Sequence, residues 1–386
     1  MKTYIREIME NHLGILLYAT LFTVEAVTMF NYTAVNAVDQ TRLSEHVYVV
    51  ILAGGTGERL WPYSRVACPK QLLTIGSDKT LLEQAIDRVQ GLAGRDRIWV
   101  VTTSEHEAKI RDCVGLQVSR VLVEPSPRNT GPAIAYCCVQ IMEKDPDAVL
   151  FFVPADAFIP EQDETLFIDS AKEAIACAQA QDSICLLGIT PTYAATGYGY
   201  IECDSELKVG NSFKVNSFRE KPCKVEAQRY LSNSNMLWNT CTFAGRVSRF
   251  IKEFEIHAPA LLYGVQNFCN GTATYHEVES LSIDYAVIEK TNRIWVTPCL
   301  FSWCDVGNVA VFLGLKQQYE KKENVVLVDS NNNLVDVPGK LVALIDVDNL
   351  CVIQTDDVLL ITKKESTEKV RNLVSSIKQK QLNDYL

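Results

Sequence analysis

Val47-Tyr48-Val49-Val50-Ile51-Leu52, followed directly by Ala53-Gly54-Gly55-Thr56-Gly57-Glu58-Arg59, is the stretch that decides the fold. Six apolar residues in succession read as a strand buried on both faces, since a half-exposed strand would alternate with polar residues. Three glycines straight after it mean that the backbone turns sharply and lets something approach closely. Arg59 in the same loop, and Lys70 in Pro69-Lys70-Gln71 beyond it, indicate an anionic guest. Exposed N–H groups beside fixed cations make a phosphate cradle.

Two familiar glycine patterns are excluded. No Gly-x-x-x-x-Gly-Lys-Ser/Thr string occurs, and the residue three after Gly57 is Leu60, not the glycine a dinucleotide fingerprint needs. What remains is Gly-Gly-x-Gly-x-Arg with Lys70 after ten further residues. That pattern resembles the signature of sugar-1-phosphate nucleotidyltransferases.

At 386 residues and 47% hydrophobic content the chain can build a large α/β domain and a smaller one. Its net charge of −10 argues against generic nucleic-acid binding. Phosphate recognition is therefore local, through a few cations and a divalent metal. Thirteen cysteines are scattered through apolar runs without a Cys-x-x-Cys pair, which reads as buried reduced thiols of a cytoplasmic enzyme. His12, His46, His106, His257 and His276 sit in no motif, so a histidine-based mechanism is not expected.

Residues 1–46 form an extension with no assignable role. The apolar run 13–24 is too short to span a bilayer, and Glu7, Glu10 and Glu25 do not suit a signal peptide. An added amphipathic helix, or a true start at Met29, is expected there, and membrane attachment is not.

Over 47–320, apolar strands at 48–52, 98–102, 118–123 and 148–153 alternate with helical patterns at 81–92, 105–114 and 133–142. That alternation predicts a mostly parallel sheet covered on both faces, with ligands beyond the carboxyl ends of its strands. Over 321–386 the texture changes. Short Val/Leu/Ile runs separated by Asn- and Asp-rich turns predict a small all-β unit, closed by a charged helix over about 364–380. No internal repeat is evident.

Further motifs follow in order. They are Glu124-Pro125-Ser126-Pro127-Arg128-Asn129-Thr130-Gly131, Val153-Pro154-Ala155-Asp156, Thr196-Gly197-Tyr198-Gly199-Tyr200 and Glu220-Lys221-Pro222. Leu237-Trp238-Asn239, Ser282-Ile283-Asp284 through Glu289-Lys290, and Trp303-Cys304-Asp305-Val306-Gly307 complete the series. Together with the glycine loop they resemble the mannose-1-phosphate guanylyltransferases over about residues 47–362. The resemblance implies a Rossmann-like, mostly parallel nucleotidyltransferase domain with a small C-terminal β-helix-like domain. It also implies GTP and mannose 1-phosphate as partners and Mg²⁺ as cofactor, with a homo-oligomer allowed.

It further implies roles for single residues. Ala53, Gly54, Gly55, Thr56, Gly57, Glu58, Arg59, Lys70, Asn129 and Asp156 would meet the nucleotide. Gly199, Glu220, Lys221, Asn239 and Asp284 would meet the sugar phosphate. Arg59, Lys70 and Lys221 would act in catalysis, and Asp156 and Asp305 would hold the metal. Each of these two aspartates follows an apolar run as a lone carboxylate, and an unpaired charge there would be costly. Lys70, as a loop residue, is expected to pack little, and Thr130 is expected to cap the helix that follows it.

Thr240-Cys241 replace the Ser-Gly that the family often carries after Leu-Trp-Asn, which leaves the sugar less defined than the reaction. The chain ends at Leu386, so transferase activity alone is expected, without the isomerase domain of many bacterial relatives. Two alternatives stay open: transfer to another hexose 1-phosphate, or a non-catalytic subunit that senses GDP-sugar.

Overall fold

Strand β1 (Val47–Leu52) sends Val47, Val49 and Ile51 to one face of a sheet and Tyr48 and Val50 to the other. Both faces are buried, which is why the run is apolar throughout. The computed structural model describes residues 45–115, 117–319 and 324–386. The helix expected within the first 44 residues, and Met29, lie outside the described residues.

Strands β2 (Ile98–Thr103), β3 (Arg120–Glu124) and β4 (Val149–Pro154) join β1 in the parallel order β3-β2-β1-β4. After β5 (Ala157–Phe158) come β6 (Ile184–Ile189), β7 (Tyr200–Val209), β8 (Ser212–Arg219), β9 (Met236–Arg246) and β10 (Ile294–Cys299). These extend the sheet as β9-β6-β10-β8-β7, nine strands in all. Only β8 and β9 run against the rest, so the sheet is mostly parallel. One face is covered by helices Thr130–Lys144, Val247–His257 and Pro259–Cys269; the other by Leu81–Val89, Glu107–Val114 and Glu164–Gln181.

Local chemistry sets the helix starts. Thr80 Oγ1 accepts from Glu83 N at 3.1 Å while Glu83 Oε2 accepts from Thr80 N at 2.8 Å, closing a capping box. Thr130 does not cap its helix, contrary to expectation. Asn129, at φ 71°, takes the cap by accepting from Thr130 N at 2.9 Å, and Thr130 Oγ1 instead accepts from Ile283 N at 3.0 Å.

Beyond a two-residue strand β11 (Cys304–Asp305) and the helix Val309–Tyr319, the chain enters a β-helix. Strand β12 (Val325–Val328) pairs in parallel with β14 (Val342–Ile345), and β13 (Leu334–Asp336) with β15 (Leu350–Gln354). Paired residues are 17 positions apart, as in Asn332 with Asn349. The left-handed corners repeat at the same interval, Asp329 with Asp346 and Asn332 with Asn349. The sequence therefore does contain a repeat. It is carried by Asp and Asn, which tolerate positive φ, rather than by an apolar pattern. Strand β16 (Leu359–Lys363) returns antiparallel to β15 and leads into a 3₁₀ turn and the terminal helix Val370–Gln379.

All thirteen cysteines are free thiols; most are buried, but Cys223 and Cys241 are exposed. No helix among the described residues is long and apolar enough to cross a membrane.

A buried carboxylate joins the β-helix to the glycine-loop region. Asp336, 2% exposed, accepts from Tyr63 Oη at 2.5 Å and Lys316 Nζ at 2.9 Å. Asp336→Ala is expected to cost about 2–3 kcal/mol, because two half-buried donors lose their charged acceptor. A lowered urea midpoint at unchanged slope would register it; an unmoved midpoint would mean that the joint is held by apolar packing alone.

Candidate active site

The glycine loop is fixed at its root. The Ala53 carbonyl accepts from buried Gln71 Nε2 and from Thr102 Oγ1, each at 2.9 Å. Gly54 passes beside the Glu124 carboxylate, which a Cβ would meet at 3.5 Å. Gly57 adopts φ +69°, and a Cβ there would stand 2.6 Å from Lys70 Cβ. Glycine is thus required twice over at this position, for its backbone and for its contact. The two halves of the signature, far from being separate, pack against each other.

Lys70 opens the 3₁₀ turn Lys70–Leu72 and is buried, not the loosely packed loop lysine the sequence predicts. Its Nζ lies 2.9 Å from Asp156 Oδ2 and 3.2 Å from Asp305 Oδ1. The aspartates are accordingly not lone charges. Ala157 and Phe158 of β5 pair with Asp305 and Cys304 of β11, and this short ladder brings the two carboxylates to one cation. Burial alone would lower the lysine pKa; Asp156 and Asp305 outweigh it and hold the ammonium above its usual value.

Both aspartate side chains remain about one-third exposed, at 36% and 34%. Hard oxygen donors with open access fit Mg²⁺, whose shell ordinarily includes waters and substrate phosphates as well as one or two carboxylates. No group of three or more His, Cys, Asp or Glu side chains suited to a metal occurs among the described residues, so waters and substrate oxygens would complete any such shell.

A second cluster gathers the residues expected to meet sugar. Lys221, at φ 46°, pairs with Glu220, whose backbone N–H donates to Glu289 Oε1 at 2.8 Å. Asn239 Nδ2 donates to Asp284 Oδ1 at 3.3 Å. Gly199 lies against both Glu220 and Asn239; a Cβ would meet Glu220 Oε2 at 2.8 Å and Asn239 Cβ at 3.3 Å. Asp284 starts a single π-helical turn, Asp284–Ile288. Burial, reinforced by the Glu220 charge and opposed by Lys221, raises its pKa to about 7.

A cleft of about 620 Å³ lies between these parts. Gly55, Thr56, Gly57, Glu58 and Arg59 line it together with Lys70, Asp156 and Lys221. Ala53 and Gly54 lie at its root, Asp305 borders it through Lys70, and Glu220, Asn239, Asp284 and Gly199 stand behind Lys221. Asn129 is not brought to this lining; it caps its helix. Sequence reasoning missed five lining residues: Leu60, Gly307, Glu368, Arg371 and Asn372. Leu60 directly follows Arg59 and Gly307 closes the already quoted Trp303-to-Gly307 motif, but nothing in the sequence ties Glu368, Arg371 and Asn372 to a loop at the opposite end of the chain.

A glycine-rich loop with fixed cations at the carboxyl edge of a mostly parallel sheet, joined to a β-helix, defines the class. A family model described as "Nucleotidyl transferase" matches residues 48–322, and one described as "MannoseP isomerase/GMP-like beta-helix domain" matches 323–377. The chain is 32% identical over 372 residues to "Mannose-1-phosphate guanylyltransferase 2" of Escherichia coli O157:H7, covering 88% of this chain and 75% of that one. It is 33% identical to "Alginate biosynthesis protein AlgA" of Pseudomonas fluorescens, covering 85% and 71% respectively. A solved structure from Thermus thermophilus, titled a mannose-1-phosphate geranyltransferase, superposes with TM-score 0.76 at 27% identity over 86% of this chain and 99% of that one. The chain belongs to the nucleotidyl transferase family, and it is an enzyme.

Two outcomes are expected at this site. Because Asp284 is raised from 3.8 to about 7 by burial, the folded state binds its proton more tightly than the unfolded state does. Its contribution therefore falls as pH rises from about 4 to 7. Asp284→Asn should flatten that part of the stability-versus-pH curve, and an unchanged curve would refute the assignment. Gly57→Ala should displace Lys70 and cut turnover at least tenfold, and should lower stability by more than the about 1–2 kcal/mol of a left-handed residue alone, because the added Cβ also clashes with the Lys70 stem. Full activity in that variant would show that the Gly57–Lys70 contact is dispensable.

Proposed function

We propose that this enzyme transfers the guanylyl group of GTP to mannose 1-phosphate, forming GDP-mannose and pyrophosphate. The observation that carries the reading is Lys70, held between Asp156 and Asp305 at the foot of the glycine loop. Relatives about a third identical and named for that transfer support the choice of substrates.

The chemistry needs few parts. A phosphate oxygen of the sugar phosphate bonds to the α-phosphorus, and the bond to the bridging oxygen breaks as pyrophosphate leaves. That oxygen is already anionic near neutral pH, so no side chain has to remove a proton. The barrier lies in bringing two polyanions into line and stabilising charge on the leaving group. Arg59 and Lys70 hold the triphosphate, and Lys221 holds the sugar phosphate. Gly199, Glu220, Asn239 and Asp284 receive the sugar, and the Asn129 segment borders the nucleotide. Asp156 and Asp305 would hold Mg²⁺, which neutralises phosphate charge when bound.

Pyrophosphate release with Mg²⁺, measured for four nucleoside triphosphates against mannose, glucose and fucose 1-phosphates, tests the reading. Turnover is expected for GTP with mannose 1-phosphate. A different productive pair would replace the substrates, and silence across the grid would overturn catalysis. Lys70→Met and Asp156→Asn should each lower kcat by about 10²–10³ while the protein stays folded, the size expected for losing a preorganised charge. Unimpaired turnover in Asp156→Asn would remove the metal assignment.

A further inference from the structure

The terminal helix Val370–Gln379 lies against the glycine loop from the far end of the chain. Its Val370 and Val374 pack with Trp61, Val309 and Leu313. Trp61 Nε1 donates to the Tyr385 carbonyl at 2.7 Å. The helix is thus carried at a fixed position, and Arg371 and Asn372 on it form part of the cleft wall.

We propose that Arg371 is a triphosphate-binding residue of this enzyme, supplied to the cleft by the C-terminal helix. The inference rests on the reading of the cleft as a nucleoside-triphosphate site. Four cationic side chains line the cleft, and three of them have a close carboxylate partner. Lys70 is held by Asp156 and Asp305, Arg59 by Glu368 at 3.1 Å, and Lys221 by Glu220. Arg371 differs. Its side chain is 72% exposed, and its nearest anionic contact is Glu58, 3.5 Å from Nε. Lys378 already neutralises that same carboxylate at 2.7 Å. Among the described residues Arg371 donates no side-chain hydrogen bond to the protein, and a long exposed ion pair is weak. Its guanidinium can turn to a phosphate at little cost and present two parallel N–H donors.

Charge balance points the same way. Glu58, Asp156 and Glu368 place three carboxylates in the cleft wall against Arg59, Lys70 and Lys221. Without Arg371 that wall carries no excess positive charge for a polyanion.

Binding of magnesium pyrophosphate and of GTP, by calorimetry, tests the proposal; pyrophosphate needs neither base nor sugar recognition. Arg371→Ala should weaken both roughly tenfold or more, the usual worth of a charge-assisted contact, and raise the KM for GTP without raising that for the sugar phosphate. Arg371→Lys should recover part of the loss. Lys378→Ala, which removes the closer partner of Glu58 but lies outside the cleft, should change binding by less than twofold. An Arg371→Ala variant within twofold of the unsubstituted protein would overturn the proposal. So would an equal loss in Lys378→Ala, which would reduce Arg371 to a partner of Glu58. Arg371-dependent pyrophosphate binding without GTP turnover would leave this inference standing while the choice of guanine nucleotide fell. Absence of any pyrophosphate or nucleotide binding by the unsubstituted protein would overturn both.

Discussion

A buried ammonium between two carboxylates organises the molecule. Lys70 reaches Asp156 and Asp305 within 3.2 Å, and each partner comes from a different part of the chain. A buried lysine without such partners would lose its proton, and two carboxylates on one short ladder would repel. Each charge is tolerable only because the others are there. The glycine loop depends on the same arrangement, since Gly57 has room only against the Lys70 stem. Sheet, loop and β5–β11 ladder are thereby set relative to one another by one charged cluster.

The β-helix and terminal helix belong to the same logic. Asp336 receives Tyr63 and Lys316 in a buried position, and Glu368, Arg371 and Lys378 meet the two charged residues of the glycine loop, Glu58 and Arg59. Exposed pairs of this kind contribute little individually to stability. Their consequence is geometric: the C-terminal segment forms one wall of the cleft rather than a separate appendage. A cation already in a weak contact is readily exchanged onto an anionic ligand, which suits a site that must admit and release polyanions.

Much of this was legible beforehand because it is written in local pattern. The continuous apolar run of β1 announced a strand buried on two faces, and the alternation with helical periods announced the mostly parallel sheet. The sequence also predicts a phosphate loop over Gly54 to Arg59 with Lys70, and the structure packs Gly57 against Lys70. Less legible was the 17-residue repeat of the β-helix. Its period resides in Asp329/Asp346 and Asn332/Asn349, whose left-handed backbone is invisible in a hydrophobicity pattern. The cap at Asn129 was misplaced by one residue because Thr130 is equally suited to the position by chemistry; the pull of Ile283 on its hydroxyl decided between them.

The sequence by itself determined the residue types of the site and the strand edge on which they stand. Glycines, lone cations and carboxylates after apolar runs follow from chemistry that is local to each segment. Only the tertiary structure decided the pairings: Lys70 with two aspartates, Gly199 against Glu220 and Asn239, and Arg371 on the wall of a cleft opened near the other end of the chain. Such pairings depend on where the sheet and β-helix bring distant segments together. No spacing within either segment encodes that distance.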